Sequence, residues 1–198
     1  MRFVARAVIG AQDHYGRAEL VTLALDGASP VLLDRRRIAL IDEGLPVAPY
    51  HHEALEMELA AASELVERVR RSVDGCARTA LEALLEAHPA GTLVLPASPF
   101  PELPGKLEDV LRSRTLTNAA DGMLYRESLA EAAVALGLEV LRVPRKADPV
   151  ALASEALGVG TDEVTAWITR LGREAGAPWR KDHKLAAAAA LLGLGKRR

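Results

Sequence analysis

The stretch that most constrains this chain is its last one, Trp179 to Gly193, reading W-R-K-D-H-K-L-A-A-A-A-A-L-L-G. It opens polar and becomes a helix made almost entirely of alanine. Alanine is the strongest helix former, and a helix with so little side-chain bulk can lie close against a sheet. Its polar start, Asp182-His183-Lys184, is then held at one edge of that sheet. The upstream residues are expected to supply the sheet and the helices that this last helix closes.

At 198 residues the chain can build one domain with a substantial core. Its apolar and charged fractions, 49% and 26%, are those of an ordinary globular protein. A formal net charge of -2 and a pI near 6.2 exclude a cationic coat over the whole surface, but not a local basic face. Aromatic residues make up only 4%, so stacking on aromatic platforms is not expected to be the main binding mode. The one cysteine, Cys76, excludes an internal disulfide or a thiolate zinc site and reads as a small core residue. No apolar run reaches about 18 residues, so no membrane span is expected. Met1 to Arg6 leads directly into a strand-like run without signal-peptide architecture. A cytoplasmic location is the expectation.

The elements follow from hydrophobic period. Phe3 to Gly10 reads as a central strand, followed by a turn at Gln12-Asp13-His14-Tyr15-Gly16. Leu20 to Leu25 is a second strand, closed by Asp26-Gly27. Pro30–Leu33 and Ile38–Ile41 bracket Asp34-Arg35-Arg36-Arg37, as one strand with a polar middle or as a strand and a turn. From His52 the spacing turns helical through Leu55, Leu59, Leu65, Val69, Val73, Cys76, Ala80 and Leu84, with a break expected near Asp74-Gly75. Thr92 to Leu95 is a short, wholly apolar strand of the buried parallel kind. A proline-rich loop, a short helix over Gly105–Arg114 and a longer one over Asn118–Leu136 come next, the last ending at Gly137. Leu138–Val143 is the fifth strand and Pro149–Leu157 a short helix. Thr161 is read as the cap of another, with Asp162 and Glu163 in its first turn. Residues 1–194 read as a single domain, and Gly195 to Arg198 as a basic tail.

Three groups of residues can carry chemistry. His51-His52-Glu53, with Glu56 and Glu58 behind, opens the long helical stretch as an acid/base or metal candidate, or as a plain helix start. Asp13-His14 and Asp182-His183 lie at opposite ends of the chain and meet if the first strand is central and the last helix packs beside it. Basic residues cluster at Arg35-Arg36-Arg37, at Arg142 with Arg145-Lys146, and at Arg180-Lys181 with the tail; on one face they would hold phosphates, and otherwise they are solvated runs. Gly158-Val-Gly160-Thr161 lacks the lysine of a phosphate-binding loop and reads as a turn.

The element order resembles that of the ribonuclease H-like fold, and its local motifs resemble the RuvC-type Holliday junction resolvases. Leu138 to Lys146, L-E-V-L-R-V-P-R-K, is similar to their fifth strand and its exit. Gly158 to Leu194 is similar to their last segment, and Val8-Ile9-Gly10-Ala11-Gln12 to their first strand, which in the family ends in an aspartate. The resemblance implies an α/β domain with a five-stranded mixed sheet in the order 3-2-1-4-5, flanked by helices. It also implies cleavage of nucleic acid by two Mg²⁺ or Mn²⁺ ions about 4 Å apart. Their carboxylates come from the first strand, the end of the fourth and the start of the last helix.

This chain departs from that pattern. Gln12 stands at the first-strand position, with Asp13 one step on, and one step along a strand turns a side chain to the other face. The fourth strand ends Leu95-Pro96-Ala97-Ser98 without an acid. The last helix keeps Asp182 but carries Lys184 where the family has its second acid. Asp13 and Asp182 are the metal-ligand candidates, with His183 and Glu53 beside them as catalytic candidates. Arg145, Lys146, Arg180, Lys181 and Lys184 are the candidates for holding structured DNA or RNA. The expectation is a nuclease-like protein with an eroded acid set, with homodimer formation open. The alternatives are a scaffold on the same fold and a nucleotide-binding relative of the actin-like branch, for which the chain is short.

Overall fold

The structure, a computed structural model, describes residues 7–98, 102–144 and 146–196. Five strands form one sheet: β1 (Ala7–His14), β2 (Arg17–Asp26), β3 (Ser29–Ala39), β4 (Ala90–Pro96) and β5 (Glu139–Val143). Their order is β3-β2-β1-β4-β5, as the sequence predicts. The β1–β2 and β2–β3 pairs are antiparallel, whereas β1–β4 and β4–β5 are parallel, with Val8 opposite Thr92. The expected start of the first strand, Phe3 to Arg6, lies outside the described residues.

Six helices cover the two faces: α1 (Leu59–Ala87), α2 (Leu107–Leu111), α3 (Arg114–Ala135), α4 (Pro149–Leu157), α5 (Thr161–Ala175) and α6 (Lys181–Gly195). The alternation of the strands divides the core. Ile9, Ala11, Leu20, Leu93 and Leu95 face α1 and α3, against Val69, Val73, Leu81, Tyr125 and Leu129. Val8, Val21, Leu23 and Val94 face the other way, against the alanines of α6 and Val164, Ile168 and Leu171 of α5.

Close approach of α6 to the sheet depends on small residues on both sides. A Cβ on Gly10 would lie 1.9 Å from the Ala186 carbonyl oxygen and 2.6 Å from the Ala190 nitrogen. One on Gly193 would lie 2.6 Å from Val8 Cγ1 and 2.8 Å from Val94 Cγ2. The helix therefore rests backbone to backbone on β1. Its first turn is fixed at the carboxyl ends of the parallel strands.

Several elements differ from the reading of the sequence. β1 continues through Gln12-Asp13-His14, which are strand and not turn; the reversal is Tyr15-Gly16, with Gly16 at φ 75. A two-residue hairpin turn favours positive φ there. β3 is one strand with a polar middle, which an edge strand tolerates because only one of its edges is paired. α1 passes Asp74-Gly75 unbroken for about 43 Å. Val69, Val73, Ala77, Leu81 and Leu84 are buried on both sides of Gly75, and Ser128 Oγ donates to Asp74 Oδ1 at 2.5 Å. That burial outweighs the roughly 1 kcal/mol a mid-helix glycine costs.

The amino end of α1 is later than the sequence suggests. Glu53–Glu56 form a separate 3₁₀ turn, and Leu55 and Leu59 are each 47% exposed, so the buried stripe begins at Ala62. Cys76 is not core; it is half-buried, with Sγ directed at Asp42 Oδ1. Gly160, not Thr161, caps α5, and α6 is capped at Arg180 so that Asp182 falls within its first turn. Gly195 is helical and packs against Ala156, leaving Lys196 as the first residue beyond α6.

Candidate functional site at the carboxyl edge of the sheet

β1, β4 and the first turn of α6 converge where the parallel strands end. Strand alternation decides what each β1 residue can reach there. Asp13 follows Ile9 and Ala11 onto the α3 side, while Gln12 and His14 follow Val8 and Gly10 onto the α6 side.

Asp13 is bound by an arginine. Its two carboxylate oxygens accept from Arg126 Nε and Nη2, each at 3.0 Å, in a two-pronged pair. The Arg126 Nη1 group donates to the Ala97 carbonyl at 3.1 Å. Both side chains are largely withdrawn from solvent, at 3% and 16% exposure. A planar guanidinium matched to a carboxylate in this way is the strongest form of such a pair.

On the opposite side His14 Nε2 lies 3.0 Å from Asp182 Oδ2, without the alignment of a hydrogen bond. The two Asp-His pairs thus meet through His14 and Asp182, and Asp13 takes no part. His183 is buried beside them, 3.3 Å from Glu19 Oε2. Its Nδ1 accepts from the Arg180 backbone N–H at 3.2 Å, which leaves the ring proton on Nε2 facing Glu19. Burial pushes the His183 pKa down, against the opposing pull of Glu19, so the ring is a neutral donor at pH 7. Arg37 Nε donates to the other oxygen of Glu19 at 2.6 Å, and Trp179 stacks on His183 at 5.7 Å.

Glu53 lies apart, exposed in the 3₁₀ turn before α1. The residues ahead of it are clamped to α3: Asp121 accepts from the backbone N–H groups of Tyr50 and His51, each at 3.0 Å. Asp121 is fully buried, and burial raises its pKa to about 6 against those two bonds. Asp13, Asp182 and Glu53 are therefore not brought together. Among the described residues no group of three or more His, Cys, Asp or Glu side chains is placed to hold a metal ion. Hard divalent ions need several converging oxygens, and the one carboxylate at the end of β1 already has a guanidinium on it. The donor set does not fit a pair of Mg²⁺ or Mn²⁺ ions.

The basic candidates are on the surface. Lys146, Arg180, Lys181 and Lys184 are all exposed, and none of them forms an ion pair among the described residues. Arg145 lies outside the described residues. Arg142 is not available in the same way, because its Nη2 donates to Glu127 Oε2 at 2.5 Å. Arg35 is also engaged, donating to the carbonyls of Gly176 and Pro178 ahead of α6.

Solved structures share this architecture, RuvC structures among them. A T. thermophilus RuvC in complex with Holliday junction substrate matches 97% of this chain and 94% of its own, with a TM-score of 0.58 and 14% identity. The chain has the RuvC fold. A further Thermus thermophilus RuvC structure matches 96% of this chain and 95% of its own, with a TM-score of 0.56 and 13% identity. No family model and no curated protein matches the sequence. No helix among the described residues is long and apolar enough to cross a membrane.

Within this RuvC-like fold, sequence reasoning missed Arg126 and Glu19. Arg126 sits next to the core-facing Tyr125 on α3, so its spacing gives no sign that it reaches the sheet. Glu19 had a signal: β2 pairs it with Arg37, an acid and a base on facing strands.

Proposed function

We propose that this protein binds structured DNA or RNA through the nucleic-acid backbone and does not cut it. The observation that carries the reading is the pairing of Asp13 with Arg126 at the end of β1. It puts a fixed positive charge on the carboxylate that lies nearest in sequence to the family's first metal ligand. Around the same edge Lys146, Arg180, Lys181 and Lys184 are exposed and free of ion pairs among the described residues. Exposed cations at one edge attract phosphates without regard to sequence. The solved relative bound to a Holliday junction supports branched DNA as the first ligand to test.

The test is a titration of fluorescent four-way junctions and duplexes at rising salt. Four neutralised phosphates give a slope of log K on log salt of about -3.6, so binding weakens by roughly two orders of magnitude between 50 and 200 mM. Lys181→Glu with Lys184→Glu should weaken binding to all sequences alike and flatten the slope by about 2. Absence of binding at the lowest salt refutes the reading and leaves a protein-binding scaffold.

A further inference from the structure

We propose that the cleft over the carboxyl ends of β1 and β4 takes one unpaired nucleobase, stacked on Tyr15. This rests on the nucleic-acid reading above and names the part of the ligand the site selects. Two hollows adjoin there, because Gly122 and Arg126 line both. One, of about 410 Å³, is bounded by Gln12, Ala97, Asn118 and Leu185. The other, of about 380 Å³, is bounded by Asp13, His14, Tyr15 and Arg17. These sizes are those of small-ligand sites.

Tyr15 is the aromatic of this cleft. It is 40% exposed at the tip of the β1–β2 hairpin, in a chain where aromatics are scarce. Its ring is fixed from behind by Tyr125, with centroids 6.2 Å apart and planes at 29°. Its hydroxyl donates to the Asn118 carbonyl at 3.2 Å. A partly exposed ring held in this way offers a stacking face to an unpaired base.

The polar groups fit a base better than a phosphate. Arg126 reaches the cleft already neutralised by Asp13, so the floor is an ion pair without net charge. Gln12 and Asn118 line the first hollow; Asn118 Nδ2 donates to the Arg114 carbonyl at 2.9 Å, and an amide so held keeps a second N–H and an acceptor oxygen of the kind that pairs with the edge of a base. The charge that would meet the adjoining phosphate is at the rim, on exposed Arg17, which has no ion pair among the described residues.

Gly122 points the same way. It lies within α3, where glycine is the least favourable residue after proline. Its φ is not positive, and a Cβ there would meet only Tyr15 Cε1, at an ordinary 3.8 Å. Neither backbone nor packing requires glycine, unlike Gly10 or Gly193. Gly75 is also unrequired, but it faces open solvent. What Gly122 does provide is the open floor between Tyr15 and Arg126.

The experiment uses the full chain and two DNA probes of equal length. One carries a single unpaired 2-aminopurine; the other is fully paired. Wild-type protein should bind the first more tightly and quench its fluorescence. Tyr15→Ala should abolish the quench and lower affinity for that probe by about tenfold, with duplex binding unchanged, which also shows that the variant is folded. Tyr15→Phe should retain both effects, and Gly122→Leu should lose them. Equal loss on both probes, or no loss on either, overturns the base site while backbone binding stands. Failure of wild type to bind either probe at low salt removes the nucleic-acid reading and this inference together.

Discussion

Replacing Asp13 by Asn separates a structural ion pair from a metal ligand. The amide can accept from one Arg126 N–H, but its NH₂ group faces the other donor. The guanidinium, 16% exposed, is left with a buried and uncompensated charge, although its bond to the Ala97 carbonyl remains. Breaking a buried pair from one side costs about 3–5 kcal/mol. In a chain of this length each kcal/mol lowers Tm by about 2–4 °C, so the fall should be roughly 6–20 °C. Arg126→Met should cost a similar amount, and Asp13→Leu with Arg126→Met should recover much of the loss, because apolar replacement of a whole pair is often neutral. The assay is thermal unfolding followed by circular dichroism, with and without Mg²⁺. An Asp13→Asn protein that melts like wild type without metal, while Mg²⁺ stabilises only wild type, would show Asp13 to be a metal ligand and not half of a structural ion pair.

Other perturbations have defined outcomes. Gly10→Ala forces a methyl to within 1.9 Å of the Ala186 carbonyl, a backbone atom that cannot rotate away. Overpacking of this kind costs about 3 kcal/mol, and the melting temperature should fall by roughly 6–12 °C. Gly75→Ala meets nothing within 4 Å and should stabilise α1 by about 1 kcal/mol. Asp121 gives a pH signature. Its folded pKa, about 6, is above the ordinary aspartate value of 3.8. The stability it contributes is therefore full below pH 4 and is lost as pH rises through 6. Urea unfolding across this range should show a decline of the order of 3 kcal/mol that Asp121→Asn abolishes.

Topology was legible in the sequence because hydrophobic period changes where the architecture changes. Three short apolar runs separated by turn residues give way near residue 52 to helical spacing. The wholly apolar Thr92–Leu95 run then marks a strand covered on both faces. The opposite facing of Gln12 and Asp13 follows from strand geometry once β1 is carried through them. The same logic, with β1 central, brings the Asp13-His14 and Asp182-His183 pairs together, but the contact is His14 with Asp182, while Asp13 turns to Arg126. Arg126 was not legible, because its partner lies 113 residues away and nothing local distinguishes it from a solvated helix residue. α1 departs from the sequence pattern in its middle and at its start. A lone glycine is a weak breaker when its flanks are buried, and Leu55 and Leu59 fit helical spacing while facing solvent. Gln12-Asp13-His14 looks like turn chemistry by composition, yet the register with β2 carries the strand through it to Gly16.

Purified protein with a labelled four-way junction and Mg²⁺ or Mn²⁺, followed for binding and strand cleavage together, separates a binder from a nuclease. A non-cutting binder gives binding that weakens steeply with salt and no metal-dependent cleavage in the bound complex. Metal-dependent cleavage that Asp182→Asn abolishes would contradict it, and so would the absence of binding at the lowest salt.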